Sequence, residues 1–327
     1  MNVGDYKGMD LATAIFGMYL VDNVDKYENF HVFTADMSVA SCLDRIKLQM
    51  PERYTDVGIA EQNMIGVASG LASEGFHPIA ICQAVFITMR AFEMNRQLLG
   101  YMRNNVILVG LHAGFFLQFM GSTHYAVEDI AIMRTIPGMT ILSPADAGES
   151  VACIQAALNH NGPVYIRLTG GSMAKTVYPD SCDVEIGKSQ IVRRGNDITI
   201  FATGTMVGQS IEAADILMNE YGIDAKVIDV YSIKPIDTDV INESKNQKLI
   251  VSVEEHSVLG GLGSAISDFT SSQGGFPPLL KLGVQDKFGN VGDYHYQLEQ
   301  NRLTPELIAK DINIKITRYE NCINHRL

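Results

Sequence analysis

The chain has 327 residues, 46% of them hydrophobic and 19% charged, with a formal net charge of −12. Such a composition fits an ordinary soluble globular protein with room for about two domains. The acidic balance argues against DNA, RNA or an anionic membrane as the main partner, and the most basic local run, IVRRG at 191–195, reads as a turn beside a strand.

The opening MNVGDYKGMD lacks a basic segment followed by an apolar core, so it does not read as a secretory signal. HVFTAD (31–36) predicts a strand. AEQNMIGVASGLASEG (60–75) carries Met64, Val67, Ala68 and Leu71 at helical spacing and stops at Gly75. HPIAICQ (77–83) predicts a strand and FITMRAFEMNRQLLGYM (86–102) a helix. NVILVGLH (105–112) is almost wholly apolar, as a strand covered on both faces should be. The helix AVEDIAIMRTI (126–136), the strand MTILSP (139–144), the helix ADAGESVACIQAALNH (145–160) and the strand PVYIRL (163–168) complete the first half. Residues 169–187 are rich in Gly, Pro, Ser and Thr without a clear period, and read as a linker.

The alternation then restarts. Strands are expected at 197–204, 224–230, 248–256 and 278–284, with helices running to about Tyr221, after GGLGSA (260–265) and near 303–311. Alternation of this kind implies an α/β protein of two domains, each with a mostly parallel sheet flanked by helices. The expected division is residues 1–170, a linker at 171–186, and residues 187–327.

Five cysteines, at positions 42, 82, 153, 182 and 322, are scattered and form no C-x-x-C pair. This fits buried thiols in a reducing compartment. The most apolar stretch, 106–121, is too short to span a bilayer and contains His112 and Gln118. A cytoplasmic protein without membrane or nucleic-acid partners is expected.

Open parallel sheets bind ligands at the carboxyl ends of their strands. Asp36, Glu61, His112 and the loop GSTH (121–124) fall there. For each a structural reading stands beside the functional one. Glu61 can be a first-turn acid favoured by the helix macrodipole. His112 can be a satisfied core histidine. Phe86, Met89 and Phe92, spaced by three, form either core or a wall for a flat ring. GGLGSA fits a tight turn and helix start better than a dinucleotide loop, because its spacing fails and it comes late. No histidine spacing suggests a metal.

Together the runs DVGIAEQN, AVF…RAF, GLH…GSTH, IPGMTILSPADAGES and GPVYIR, in this order and spacing, resemble the C-terminal half of transketolase. They are also similar to 1-deoxyxylulose-5-phosphate synthase and to the β subunits of 2-oxo-acid dehydrogenases. The resemblance covers essentially the whole chain, as a pyrimidine-binding domain followed by a transketolase C-terminal domain.

The resemblance implies thiamine diphosphate as cofactor, with a glutamate at the Glu61 position hydrogen-bonded to N1′ of the aminopyrimidine. A carboxyl in an apolar pocket can share a proton with a ring nitrogen. It further implies that Phe86, Met89 and Phe92 line the pyrimidine pocket and that Asp36 lies near the cofactor. His124 and Thr123 of GSTH, together with His112, would contact substrate.

Two positions depart from the family pattern. Met120 stands where transketolases carry an aspartate that reads a hydroxyl, and Gly170 stands where phosphosugar enzymes carry an arginine. The absence of that arginine puts a phosphorylated sugar acceptor in doubt. Arg167 reads as structural, within the last strand.

No Gly-Asp-Gly metal-diphosphate motif occurs in the chain. The expectation is therefore one subunit of a split enzyme. An N-terminal partner of about 250–300 residues would hold the diphosphate and Mg²⁺, in a heterotetramer around a homodimer-like core. The expected activity is transfer of a two-carbon ketol unit between a ketose donor and an aldehyde acceptor. A 2-oxo-acid dehydrogenase β subunit, a deoxyxylulose-phosphate-synthase-like carboligase and a non-catalytic scaffold are the alternatives. The apolar loop AGFFLQFM (113–120) is expected to set specificity toward a modified or unphosphorylated sugar.

Overall fold

The computed structural model describes residues 15–324 apart from 24, 25, 28, 171–173 and 179–181. The N-terminal decapeptide and parts of the expected linker lie outside the described residues. In the first half, in chain order, come α1 (Ile15–Asp22), β1 (Phe30–Thr34), α2 (Asp44–Gln49), β2 (Tyr54–Asp56), α3 (Glu61–Ser73), β3 (His77–Gln83), α4 (Phe92–Met94), β4 (Ile107–Ala113), α5 (Asp129–Arg134), β5 (Thr140–Leu142), α6 (Ala147–Leu158) and β6 (Val164–Thr169). In the second half follow β7 (Gln190–Arg193), β8 (Ile198–Ala202), α7 (Met206–Tyr221), β9 (Ala225–Asp229), β10 (Ser232–Lys234), α8 (Thr238–Asn242), β11 (Leu249–Ser257), α9 (Leu262–Gln273), β12 (Leu279–Val284), α10 (Tyr294–Gln300) and α11 (Pro305–Asn324).

Two sheets result, ordered β10-β5-β6-β4-β3-β1-β2 and β12-β11-β8-β9-β7. All pairings are parallel except β10 with β5 and β7 with β9, which are antiparallel edges. The α/β architecture expected from the alternation is the one observed. Strands β4 and β6 are buried along their whole length, the pattern of central strands covered by helices on both faces.

The structure adds short elements that lack a readable period: α1, α2, β2, α8 and α10. Ile191–Arg193 of IVRRG belong to edge strand β7. The expected helix over 86–102 is irregular. Two π-helical turns, Phe86–Arg90 and Asn95–Tyr101, flank α4. Such wide turns displace side chains from regular α-helical positions and often sit at functional sites.

One crossing ties the halves together. β10 leaves the second sheet's neighbourhood and pairs with β5 at the edge of the first. Lys234 Nζ then donates to the carbonyls of Arg134 and Ile136, at 2.8 and 2.6 Å.

Candidate active site

The carboxyl ends of β1, β3 and β4 and the start of α3 lie at one end of the first sheet. The route into α3 is fixed by Asp56, whose Oδ1 accepts from the peptide N–H groups of Asp36 and Gly58, both at 3.0 Å. Asp36 itself is exposed and takes a left-handed backbone with φ 56°. His112, buried at the end of β4, has φ 58°. Strain of this kind costs about 1–3 kcal/mol per residue and clusters at functional sites. The β4–β6 register shifts between Gly110 and Ala113, and such a bulge re-aims the side chains it contains. The His112 ring stacks on Phe116, with centroids 4.7 Å apart and planes 7° from parallel.

Glu61 opens α3 and is 2% exposed. A first-turn acid serving only the macrodipole would sit in solvent; this one is buried. Its Oε1 accepts from Arg90 Nη1 at 2.8 Å. The Cys82 Sγ lies 3.9 Å from the same oxygen. Burial first, and then the Glu61 charge, push the Cys82 thiol up to about 12, so it stays protonated. The guanidinium of Arg90 also lies over the Phe86 ring, 4.1 Å from its centroid. Phe86 in turn meets His124 edge to face, with centroids 5.5 Å apart. Thr123 Oγ1 is 2.9 Å from His124 Nδ1, which leaves Nε2 as the other ring nitrogen.

Glu61, Arg90, Phe86 and His124 thus form one continuous cluster. The wide turn at 86–90 is closed by the Ala91 N–H donating to the Phe86 carbonyl at 3.2 Å. It carries Arg90, four residues on, over the Phe86 ring. The three-residue spacing had pointed to Met89 and Phe92 instead. Phe86 and Met89 pack on the small cluster of Ala84, Val85, Ala113 and Ala126, while Phe92 packs against the main core of the first domain. Arg90 was missed in the sequence. Its only local signal is a cation one turn after an aromatic residue.

The loop after β4 is anchored from the second domain. Glu255 Oε1 accepts from the Phe115 N–H at 2.6 Å, and its Oε2 accepts from Thr205 and Tyr294 hydroxyls at 2.8 and 2.7 Å. Gly114 has φ 67°, and a Cβ there would come within 2.1 Å of Glu255 Oε1, so glycine is required. Beyond this anchor Phe119 and Met120 are exposed. Tyr125, Val127, Val284 and Phe288 line a cavity of about 380 Å³. Ser122 of GSTH also lines it.

Arg167 does not reach this cluster. It is buried, donating from Nε to Asp129 Oδ2 at 2.8 Å and from Nη2 to the carbonyls of Ala126 and Glu255 at 3.1 and 2.9 Å. It is the structural clamp its strand position suggested. Gly170 has φ 72°, and a Cβ there would meet Thr205 Cγ2 at 2.1 Å, so any side chain at that position is strained.

GGLGSA is filled by the protein itself. The peptide N–H groups of Leu262 and Gly263, at the start of α9, donate to Glu254 Oε2 and Oε1 at 2.6 and 2.9 Å. Burial pushes the Glu254 carboxyl up to about 7. An anion-binding helix start is present, and its anion is a side chain. Among the described residues no group of three His, Cys, Asp or Glu side chains could hold a metal. No described helix is long and apolar enough to cross a membrane.

Comparison with known proteins places two family descriptions on the chain: "Transketolase, pyrimidine binding domain" over residues 9–174 and "Transketolase, C-terminal domain" over residues 187–308. A provisionally named transketolase C-terminal section from Methanocaldococcus jannaschii is 39% identical over 311 residues, covering 94% of this chain and 96% of that protein. A 6-deoxy-6-sulfo-D-fructose transketolase subunit of Clostridium sp. is 37% identical over 292 residues, covering 89% and 90%. Among solved structures, a split-gene transketolase in the form of an inactive β4 tetramer superposes with a TM-score of 0.83 at 37% identity, covering 93% of this chain and 97% of that one.

Proposed function

The chain belongs to the transketolase family, and from that premise we propose that it is the C-terminal subunit of a split, thiamine-diphosphate-dependent transketolase. It would transfer a two-carbon ketol unit from a ketose donor to an aldehyde acceptor, in the cytoplasm. The domains would divide at the stretch 171–186. The relatives covered from end to end are named as a transketolase section and a transketolase subunit, which supports a separate N-terminal chain holding the diphosphate and Mg²⁺. A heterotetramer with the sites at the subunit interfaces follows the same logic.

The observation that carries this reading is the buried Glu61 carboxylate at the head of α3, bearing a flat nitrogen cation that lies on the Phe86 ring. A carboxylate at the edge and an aromatic face below are what an aminopyrimidine needs, so the residues fit the cofactor. When bound, thiamine diphosphate supplies the carbon nucleophile and electron sink for breaking and making a carbon–carbon bond beside a carbonyl. Glu61 holds a proton at ring N1′ and so sets the tautomer. Phe86 supports the ring face, with Met89 and Phe92 behind it and Asp36 at the neighbouring strand end. His124, its Nδ1 engaged by Thr123, presents Nε2 to the substrate oxygen and moves a proton there. His112 and Met120 line the substrate side, and the Phe115–Met120 loop excludes water.

The substrate in this reading is a sugar without a terminal phosphate, or with another group in its place. Gly170 supplies no arginine fork, and Met120 offers an apolar group where a hydroxyl-reading acid would stand. A relative named for a C6-modified ketose supports the same direction. The test is to assemble the chain with its N-terminal partner, thiamine diphosphate and Mg²⁺, and compare wild type with Glu61→Ala. Equal turnover rejects the assignment. A kcat/KM highest for sedoheptulose 7-phosphate and xylulose 5-phosphate rejects the substrate class.

A further inference from the structure

We propose that Arg90 is a placeholder for the cofactor's pyrimidine ring: its guanidinium holds the slot between Glu61 and Phe86 and must swing out to admit the ring. The inference rests on the functional reading above.

The chemistry of the two occupants matches. A guanidinium is planar and delocalised, and it presents N–H donors along its edge and a face for stacking. An aminopyrimidine offers the same edge and face. The slot makes both contacts to Arg90: 2.8 Å from Nη1 to Glu61 Oε1, and 4.1 Å from the guanidinium carbon to the Phe86 centroid. At that stacking distance no second flat group fits between arginine and phenyl ring, so a ring taking that face of Phe86 would have to displace the guanidinium.

Burial shows which partner moves. The Glu61 side chain is 3% exposed, whereas the Arg90 side chain is 46% exposed. The carboxylate is fixed at the helix start, and among the described residues of this chain nothing packs over the outer side of the guanidinium to keep it there. Its backbone stays behind, because Gln62 Nε2 donates to the Arg90 carbonyl at 3.0 Å. The arrangement solves a problem of the empty site. A buried carboxylate without a partner is strongly destabilising, and Arg90 satisfies Glu61 until the ring arrives.

A resident competitor weakens apparent affinity by the fraction of molecules in which the slot is open. A half-exposed ion pair with one stacking contact is a weak latch, so removing it should tighten cofactor binding by about three- to tenfold. The experiment titrates thiamine diphosphate into the assembled, cofactor-free enzyme with Mg²⁺ in a calorimeter, comparing wild type with Arg90→Met. The expected result is a Kd lower by that factor in Arg90→Met, with a lower melting temperature of its cofactor-free form. Unchanged or weaker binding by the variant overturns the proposal. Crystals with and without cofactor give a second reading that does not depend on the variant's folding. A bound ring with Arg90 Nη1 still within about 3.5 Å of Glu61 Oε1 overturns it as well. If the wild-type assembly binds no cofactor, or Glu61→Ala turns over like wild type, the functional reading fails and the placeholder with it. If those hold and only the Arg90 results go the other way, the placeholder alone is wrong.

Discussion

The rings of Phe86 and His124 meet edge to face at 5.5 Å, joining the turn after β3 to the loop after β4. This contact links the wall of the proposed cofactor slot to the proposed substrate base. It holds the imidazole from one side while Thr123 holds Nδ1 from the other, at 2.9 Å.

His124→Ala should therefore lower kcat/KM of the assembled enzyme by about 10²–10⁴-fold, the usual range for a positioned proton-transfer group. The half-buried ring is not part of the core, so the melting temperature should change little. Steady-state kinetics beside a thermal melt check both. A loss below about tenfold would remove His124 from the chemistry.

Arg167 and Asp129 form a fully buried pair at 2.8 Å, and Arg167 also binds carbonyls from both domains. Arg167→Met leaves the Asp129 carboxylate buried without its cation, and should cost about 3–5 kcal/mol in urea unfolding. Adding Asp129→Leu should return part of that loss, because the unpaired charge is then gone. A single-variant cost under about 1 kcal/mol would contradict the clamp.

Gly170→Arg restores the residue type found in phosphosugar enzymes, yet should fail to restore phosphosugar use. The backbone is left-handed at φ 72°, and the new Cβ would sit 2.1 Å from Thr205 Cγ2. Strain and overlap should together cost about 2–5 kcal/mol. A variant as stable as wild type with improved kcat/KM for a phosphorylated acceptor would show that the loop adapts.

A buried carboxyl pair should make stability fall as pH rises. Glu149 and Asp229 are both fully buried and raise each other's cost of ionisation, and burial pushes Asp229 from 3.8 up to about 7. Tyr178 donates to Asp229 Oδ2 at 2.8 Å, and Asp146 adds nearby negative charge. The folded-state value lies above the unfolded one, so the pair's stabilisation is full below about 3.8 and is lost as pH rises through about 7. His256, lowered to about 4 by burial, works in the opposite sense but is common to both proteins compared. Glu149→Gln should have a flatter melting temperature between about pH 5 and pH 8 than wild type. Parallel curves for the two proteins would mean that the pair does not titrate in this window.

Much of this molecule was legible in the sequence because the relevant information is local. A short apolar run placed β3 at 77–83, where it is found, and helical spacing from Met64 to Leu71 marked α3. The same reading put Glu61 at a helix start and His112 at a strand end, and gave two α/β domains with mostly parallel sheets. Tertiary structure decided the rest. Glu61 finds Arg90 across 29 positions, and the guanidinium lies over Phe86, because the start of α3 packs beside the turn after β3, a pairing no period count reports. Glu254 fills the glycine-rich turn, and Glu255 anchors a loop 140 residues away. β10 joins the first sheet from the second half of the chain. Periodicity reports only which face of its own element a side chain takes. Partners across the fold depend on sheet register and on the cost of leaving a buried charge alone, and both exist only once the chain has folded.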